Sequence, residues 1–140
     1  MKMNSDKKKV LFVCTHNAVR SQIAEAFLNH IYGDRYMAFS AGSDPSQIDP
    51  IVIMVMQEFG IDLRDYKSKG LDVFRYDRFD YVVTVCDQAQ ETCPYFPEGH
   101  ERIHKSFTDP AKFQGSPDEV LKEYRRIRDE INKWIEKEFI

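Results

Sequence analysis

A cysteine and an arginine with five residues between them enclose the part of this sequence best suited to chemistry. Cys14 opens the segment, Arg20 closes it, and the hydroxyl of Ser21 follows directly. A thiolate attacks electrophilic atoms, and a guanidinium offers a planar pair of donors to two oxygens of a tetrahedral anion. The spacing indicates a nucleophile inside an oxyanion-binding loop, which consists of Thr15, His16, Asn17, Ala18, Val19, Arg20 and Ser21.

The residues on either side of this loop predict a strand before it and a helix after it. The apolar run 10–13 has the composition of a buried strand, and an apolar periodicity typical of a helix begins at Ile23. A loop that closes onto a helix N-terminus directs backbone N–H groups and the positive end of the helix dipole inward. Because this field favours thiolate over thiol, the setting predicts chemistry on a phosphate-like anion.

Simpler explanations of these residues remain open at this point. A cysteine at a strand end is often a small buried hydrophobic residue, and an isolated Cys-x5-Arg spacing occurs by chance in many proteins. Ser21 could donate a hydrogen bond to Cys14, cap the helix, or do both. The strand–loop–helix context favours the catalytic interpretation.

Composition predicts one globular domain over residues 1–140 and excludes some partners. Hydrophobic residues make up 42% of the chain, and 20 basic against 23 acidic residues give a formal net charge of −3. This mild acidity predicts no nucleic-acid partner. The run 10–13 is too short for a signal peptide or a membrane span, so we expect a cytoplasmic protein with no membrane contact. We also expect a monomer.

The three cysteines, Cys14, Cys86 and Cys93, favour neither a disulfide framework nor a metal site. An odd number of cysteines without a secretion signal is atypical of disulfide-stabilised domains. Six residues separate Cys86 from Cys93, unlike the short pairs of structural zinc sites, and no histidine lies at a ligand spacing from a cysteine. We therefore expect no metal and no bound cofactor.

The alternation of apolar patterns predicts an α/β fold, a single-domain open parallel sheet of about four strands with helices on both faces. The predicted strands are 10–14, 36–41 and 80–85, with a further short strand possible at 103–107. The predicted helices are 21–31, one that begins after Asp49 and ends at Gly60, a last helix that begins after Ser116, and a short one possible within 67–78. Ligands of such sheets bind beyond the carboxyl ends of the strands, where Cys14 and Cys86 both fall.

Four motifs spread over nearly the whole chain carry a family resemblance. They are residues 10–26 around the loop, 82–94 with Cys86 and Cys93, 107–111 with Asp109, and 124–131 near the C-terminus. Together they resemble the low-molecular-weight tyrosine phosphatase superfamily and, more closely, its thioredoxin-coupled arsenate reductases. The loop is shared with the phosphatases, whereas the pair Cys86 and Cys93 distinguishes the reductases. The resemblance implies a low-molecular-weight phosphatase-like fold.

The resemblance implies arsenate as substrate, with phosphate or sulfate as analogues, and thioredoxin as external dithiol reductant. Cys14 would attack arsenic, Arg20 and the loop N–H groups would stabilise the developing charge, and Asp109 would be the general acid. Cys86 would then attack Cys14 and expel arsenite. Cys93 would attack Cys86, leaving a Cys86–Cys93 disulfide for the reductant.

The resemblance also raises the question of a bound cation, and the loop residue His16 needs an interpretation as well. Asn17, Glu25 and Ser40 match family positions that shape the loop, and some members bind potassium nearby. Lys69 stands where a carboxylate would help to hold that ion. An ammonium there could replace the cation, so we predict a potassium-independent enzyme. His16 could tune the thiolate as an imidazolium or face solvent, and we favour solvent.

Two other functions remain open. A tyrosine phosphatase would use the same loop and acid, but such phosphatases usually carry aromatic residues directly after the Asp-Pro pair. This chain has Ala111 and Lys112 there, with Phe113 next, so only slow hydrolysis of small aryl phosphates is expected. A non-enzymatic oxyanion or phosphopeptide binder would need neither the acid nor the additional thiols.

Overall fold

The computed structural model describes residues 7–87, 96 and 99–139, and within them strands and helices alternate along the chain. The strands are β1 (Lys8–Cys14), β2 (Tyr36–Gly42), β3 (Phe79–Thr84) and β4 (Gly99–His104). The α-helices are α1 (Arg20–Tyr32), α2 (Pro50–Gln57) and α3 (Pro117–Glu138), with 3₁₀-helices at Leu71–Phe74 and Pro110–Lys112. The four strands form a parallel sheet in the order β2-β1-β3-β4, which confirms the predicted fold class.

Strand β1 runs through the centre of the sheet and is buried on both faces. Val10 and Phe12 face one hydrophobic cluster, Leu11 and Val13 face another, and none of the four is exposed. A strand covered on both faces needs an uninterrupted apolar run, which explains the composition of residues 10–13. Because a shift by one residue would exchange the two faces, this burial fixes the position of Cys14 at the strand's carboxyl end.

The two faces of the sheet are covered differently. All three α-helices contribute to the cluster that contains Val10 and Phe12; its helical members include Ile23, Phe27, Val52, Met56, Ile127 and Ile131. The other face is covered, in the described residues, by the 3₁₀-helix Leu71–Phe74 and by Phe96. The ring of Phe79 lies 5.8 Å from that of Phe74 and 5.7 Å from that of Phe96, in edge-on contacts.

Two of the α-helices begin at the predicted capping residues. The Asp49 carboxylate accepts a hydrogen bond from the backbone N–H of Ile51 at 2.9 Å, which caps α2. Ser116 caps α3 and forms a capping box with Glu119. The N-cap residue of α1 is Val19, whose side chain makes no capping hydrogen bond.

The fourth strand does not lie where the sequence suggested it. It covers Gly99–His104 and not 103–107. The prediction was wrong because β4 is an edge strand whose side chains are mostly exposed, so most of it carries no apolar pattern. Its pairing with β3 aligns Glu101 with Tyr81 and Ile103 with Val83. Backbone hydrogen bonds hold this strand, so a search for apolar residues detects only its last part.

Candidate active site

Cys14 is the last residue of β1, and its buried sulfur belongs to a hydrogen-bonded chain of side chains. The Cys14 Sγ lies 2.9 Å from the Ser21 Oγ, to which the Asn17 Nδ2 donates at 2.7 Å. Since the Ser21 oxygen accepts from Asn17, its own proton is free to be donated to the sulfur. Such donation favours thiolate over thiol. Ser21 lies inside α1, and the N-cap is Val19, so the capping explanation of Ser21 is wrong.

The carbonyl groups of the loop are turned outward, toward the segment 44–49. Three of them accept hydrogen bonds from backbone N–H groups of that segment. The pairs are Thr15 with Asp44 (2.9 Å), His16 with Ser46 (3.2 Å) and Ala18 with Asp49 (3.2 Å). In a trans peptide unit the N–H points opposite to the carbonyl, so the N–H groups that follow these carbonyls point inward. With the uncapped start of α1, they provide the donors that the predicted anion-binding loop would need.

Asn17 makes the tight turn in the middle of the loop. Its φ of 51° is the only positive value at a non-glycine residue in the described part of the chain. Asparagine tolerates this conformation, and here its side chain is held as well. The Asn17 Oδ1 accepts hydrogen bonds from the Lys69 backbone N–H at 2.8 Å and from the Gln22 Nε2 at 2.9 Å. The turn is therefore fixed from both sides.

Arg20 and Asp109, far apart in sequence, form an ion pair in the lining of one cavity. The Arg20 Nη2 lies 3.7 Å from the Asp109 Oδ2, and the Arg20 Nη1 donates to the Phe107 carbonyl oxygen at 3.2 Å. The other Asp109 oxygen accepts the Ala111 N–H at 3.0 Å, which fixes the carboxylate at the start of the 3₁₀-helix Pro110–Lys112. A guanidinium and a carboxyl group thus line the same cavity as the Cys14 thiol.

A cavity of about 620 Å³ opens above these groups. Its polar lining includes Cys14, Arg20 and Asp109, which are three of the residues to which the sequence analysis assigned chemistry. Apolar side chains complete the wall; they are Ala18, Val19, Ile48, Pro50 and Ala111. The cavity therefore combines charged and thiol groups suited to an oxyanion with a partly apolar wall.

His16 lies at the rim of this cavity. Its Nδ1 donates to the Asp44 carbonyl oxygen at 3.0 Å and lies 3.5 Å from the Asp44 carboxylate. Its side chain is 47% exposed, as expected for a residue that faces solvent.

The second cysteine of the predicted relay lies at the same edge of the sheet as the first. Cys86 follows β3 closely and is buried, and the Val85 N–H donates to the Val13 carbonyl oxygen at 2.9 Å. Cys14 carries a free thiol, whereas Cys86 is disulfide-bonded. Cys93 lies outside the described residues.

A charge pair between a buried carboxylate and a half-buried ammonium lies next to the loop. The Lys69 Nζ lies 3.8 Å from the Glu25 Oε1 and donates to the Lys67 carbonyl oxygen at 2.8 Å, while the Ser40 hydroxyl donates to the same Glu25 oxygen at 2.8 Å. Burial raises the pKa of Glu25, and the Lys69 charge and the Ser40 hydroxyl partly oppose this. Burial likewise lowers the pKa of Lys69 against the opposing effect of Glu25.

The structure adds a contact that sequence reasoning missed. Asp49, seen in the sequence only as a helix cap, lines the cavity, and its second carboxylate oxygen accepts a hydrogen bond from the Tyr124 hydroxyl at 2.5 Å. In the sequence Tyr124 is only the first residue of the family motif 124–131. Nothing in the sequence relates it to the site, because the contact joins α2 to α3.

Within the described residues, no group of three or more His, Cys, Asp or Glu side chains is arranged to hold a metal ion. In the same part of the chain, no helix combines the length and apolar composition that a membrane crossing requires.

A Cys-x5-Arg loop at the carboxyl edge of a parallel sheet, with an aspartate facing its arginine, defines a phosphatase-like site. The profile of the low molecular weight phosphotyrosine protein phosphatase family matches residues 9–139, and the chain belongs to this family. Among its relatives is an arsenate reductase of Halalkalibacterium halodurans, 39% identical over 93% of this chain and 94% of the relative. An arsenate reductase of Bacillus subtilis is 37% identical over 96% of each chain.

Solved structures show the same relationship. An arsenate reductase in its oxidized state superposes with a TM-score of 0.77, at 27% identity over 93% of this chain and 95% of the other. A thioredoxin-dependent arsenate reductase of Corynebacterium glutamicum gives a TM-score of 0.62 at 32% identity, over 96% of this chain and 64% of the other. A tyrosine phosphatase of Erwinia amylovora shares the fold, with a TM-score of 0.70 at 18% identity.

Proposed function

We propose that this protein reduces arsenate to arsenite with electrons from an external dithiol, thioredoxin. The observation that carries the proposal is the position of Cys86, a second cysteine at the same sheet edge as the Cys14 nucleophile and its anion-binding loop. Hydrolysis of a phosphate ester needs only one thiol, whereas reduction of arsenic needs two electrons from a pair of thiols. The relatives at 39% and 37% identity, named arsenate reductases, support this assignment.

The first step is nucleophilic substitution at arsenic. The Cys14 thiolate forms a sulfur–arsenic bond, and one arsenate hydroxyl group departs as water after it takes a proton from Asp109. Arg20 and the inward N–H groups stabilise the negative charge of the remaining oxygens. The 3.7 Å between Arg20 and Asp109 leaves both groups in reach of the same anion.

The second step transfers the electrons. The Cys86 thiolate attacks the Cys14 sulfur, a disulfide forms, and the electron pair of the sulfur–arsenic bond stays on arsenic, which leaves as arsenite. Cys93 then attacks Cys86 and releases Cys14 as thiolate. At the end of this relay Cys14 is free and Cys86 is in a disulfide, which are the states of these two residues in the structure.

Arsenate-dependent oxidation of NADPH, measured with purified protein, thioredoxin and thioredoxin reductase, tests this proposal. We expect sustained turnover by the wild type, about one equivalent of arsenite from Cys93→Ser, and none from Cys14→Ser. Sustained turnover by Cys93→Ser would contradict the three-cysteine relay. No arsenate turnover by the wild type would contradict the proposal as a whole.

One observation favours a second candidate, hydrolysis of aryl phosphates. The cavity of about 620 Å³ is much larger than a tetrahedral oxyanion, and its wall includes the apolar side chains of Val19, Ile48 and Pro50. An aromatic leaving group would bury its ring against that wall. Release of nitrophenol from p-nitrophenyl phosphate measures this activity. Hydrolysis without any arsenate turnover would make this second candidate the function.

A further inference from the structure

Gln22 is a fully buried side chain beside the loop that the mechanism does not use. It is the third residue of α1, and its Nε2 donates to three oxygens. They are the Asn17 carbonyl oxygen (3.0 Å), the Asn17 Oδ1 (2.9 Å) and the Lys67 carbonyl oxygen (2.9 Å). Reversal of the amide would place an oxygen against three acceptors, so the orientation is fixed.

The other end of the same amide is unsatisfied. The Gln22 Oε1 is buried and has no hydrogen-bond partner in the described part of the protein. A buried polar atom without a partner costs free energy, and such atoms call for a specific explanation. The NH₂ group of Gln22 explains why a glutamine occupies this position. Its hydrogen bonds join Asn17 of the loop to the segment that contains Lys67.

From Gln22 a directed chain of hydrogen bonds leads to the nucleophile. Gln22 donates to the Asn17 Oδ1, which turns the Asn17 NH₂ group toward Ser21. Ser21 accepts that bond, which leaves its proton for Cys14. Each donor thus sets the orientation of the next group.

We propose that Gln22 is a positioning residue that raises the thiolate fraction of Cys14 through Asn17 and Ser21. It does not line the cavity and therefore does not contact the substrate. The inference rests on the proposed function only in taking Cys14 as the nucleophile.

Alkylation of Cys14 by iodoacetamide over a series of pH values tests this role without any arsenate. Cleavage after Lys9 and Arg20 gives the peptide 10–20, which contains Cys14 as its one cysteine and is unchanged by a substitution at Gln22. Mass spectrometry of this peptide reports Cys14 alone, whatever the state of the other cysteines.

In Gln22→Met we expect the pH at which alkylation is half-maximal to rise by roughly one unit, a tenfold change in the thiol–thiolate equilibrium. Gln22→Glu, which turns carboxylate oxygens toward the Asn17 oxygens, serves as the second variant and should shift the midpoint in the same direction. The matched control is Asn29→Ala on the same helix, which loses two hydrogen bonds to Ala38 but has none to the loop. Its midpoint should stay at the wild-type value.

A second measurement separates positioning from general loosening of the fold. In a Ser21→Ala background the chain to Cys14 is cut, so Gln22→Met should cause no further shift. Two results would overturn the proposal. One is an unchanged pH midpoint of alkylation in folded Gln22 variants, and the other is an equal shift of that midpoint in the wild-type and Ser21→Ala backgrounds. Failure of arsenate turnover in the wild type would instead contradict the proposed function and leave this alkylation result standing.

Discussion

The ammonium of Lys69 lies 3.8 Å from the carboxylate of Glu25, while its own backbone N–H binds the Asn17 side chain. One residue therefore supplies both a positive charge behind the anion loop and a hydrogen bond that holds its turn. The Lys69 ammonium is only partly exposed. It is a permanent part of the protein, whereas a bound cation can dissociate.

From this pair we predict that arsenate turnover does not depend on potassium. The Lys69 ammonium already neutralises Glu25, so an added cation has little to stabilise. Initial rates in potassium chloride and in choline chloride at equal ionic strength should agree. A marked rise with potassium would show that the ammonium does not replace the ion.

Asp109→Asn should slow arsenate reduction by roughly a hundredfold or more, because the departing oxygen loses its proton donor. The affinity for inorganic phosphate should change little, since Arg20 and the loop are untouched. Asp44→Asn, an exposed carboxylate beside His16 that is not among the cavity-lining residues, is the control and should keep most of the wild-type rate. A similar loss in both variants would argue against a general-acid role.

Tyr124→Phe should weaken anion binding as well as stability. Burial and the hydrogen bond to Asp49 raise the pKa of Tyr124, so the phenol stays a donor up to high pH. Its loss leaves a cavity-lining carboxylate oxygen without this partner, and we expect about 1 kcal/mol less stability and several-fold weaker inhibition by phosphate. Urea unfolding and inhibition constants measure the two effects.

The control for that variant is Tyr36→Phe, which loses a hydrogen bond to the Phe139 carbonyl oxygen away from the cavity. It should lose stability and keep its phosphate affinity. Equal phosphate affinities in the two variants would contradict the expectation.

Gly42→Ala should disable the loop. A Cβ at Gly42 would lie 2.4 Å from the Thr15 carbonyl oxygen and 2.9 Å from the Asn17 backbone nitrogen, both too close for any real contact. The loop backbone must shift, so phosphate binding and turnover should be lost. Gly115→Ala meets only side chains, at 3.0 Å or more, and should retain both. Normal activity in Gly42→Ala would show that the loop tolerates displacement.

Acid should weaken the contact between α2 and α3. Hydrogen bonds from Arg125 and then Arg128 lower the pKa of Glu58 from 4.5 to about 2. For a lowered carboxyl pKa, the stabilisation is present above about pH 4.5 and is lost as the pH falls toward 2. The difference in urea unfolding midpoint between wild type and Glu58→Gln should therefore shrink over this interval. A difference that is constant with pH would contradict the assignment.

The sequence is most informative where chemistry and structure are both local. The anion loop could be predicted because its residues are adjacent in the chain and its strand and helix carry clear apolar patterns. The same holds for the caps at Asp49 and Ser116, which depend on residues within the next turn.

Long-range contacts explain what the sequence could not predict. Strand β4 is polar, since its edge position leaves His100 and Glu101 exposed, and pairing alone holds it. Tyr124 reaches Asp49 from another helix, and Gln22 reaches Lys67 across a tertiary contact. No local pattern in the sequence encodes such pairs. The role of Lys69 as a replacement for a bound cation was predicted only from the family resemblance.

The support of Asn17 by the backbone of Lys69 has a consequence during synthesis of the chain. Cys14 is made early, but Lys69 follows Asn17, whose turn it holds, by 52 positions, and the neighbouring strand β3 is made later still. At translation rates of roughly 5–20 residues per second, seconds pass before the loop can assemble. Until then the turn at Asn17 lacks this hydrogen bond, and the loop takes its final form only once most of the sheet is complete.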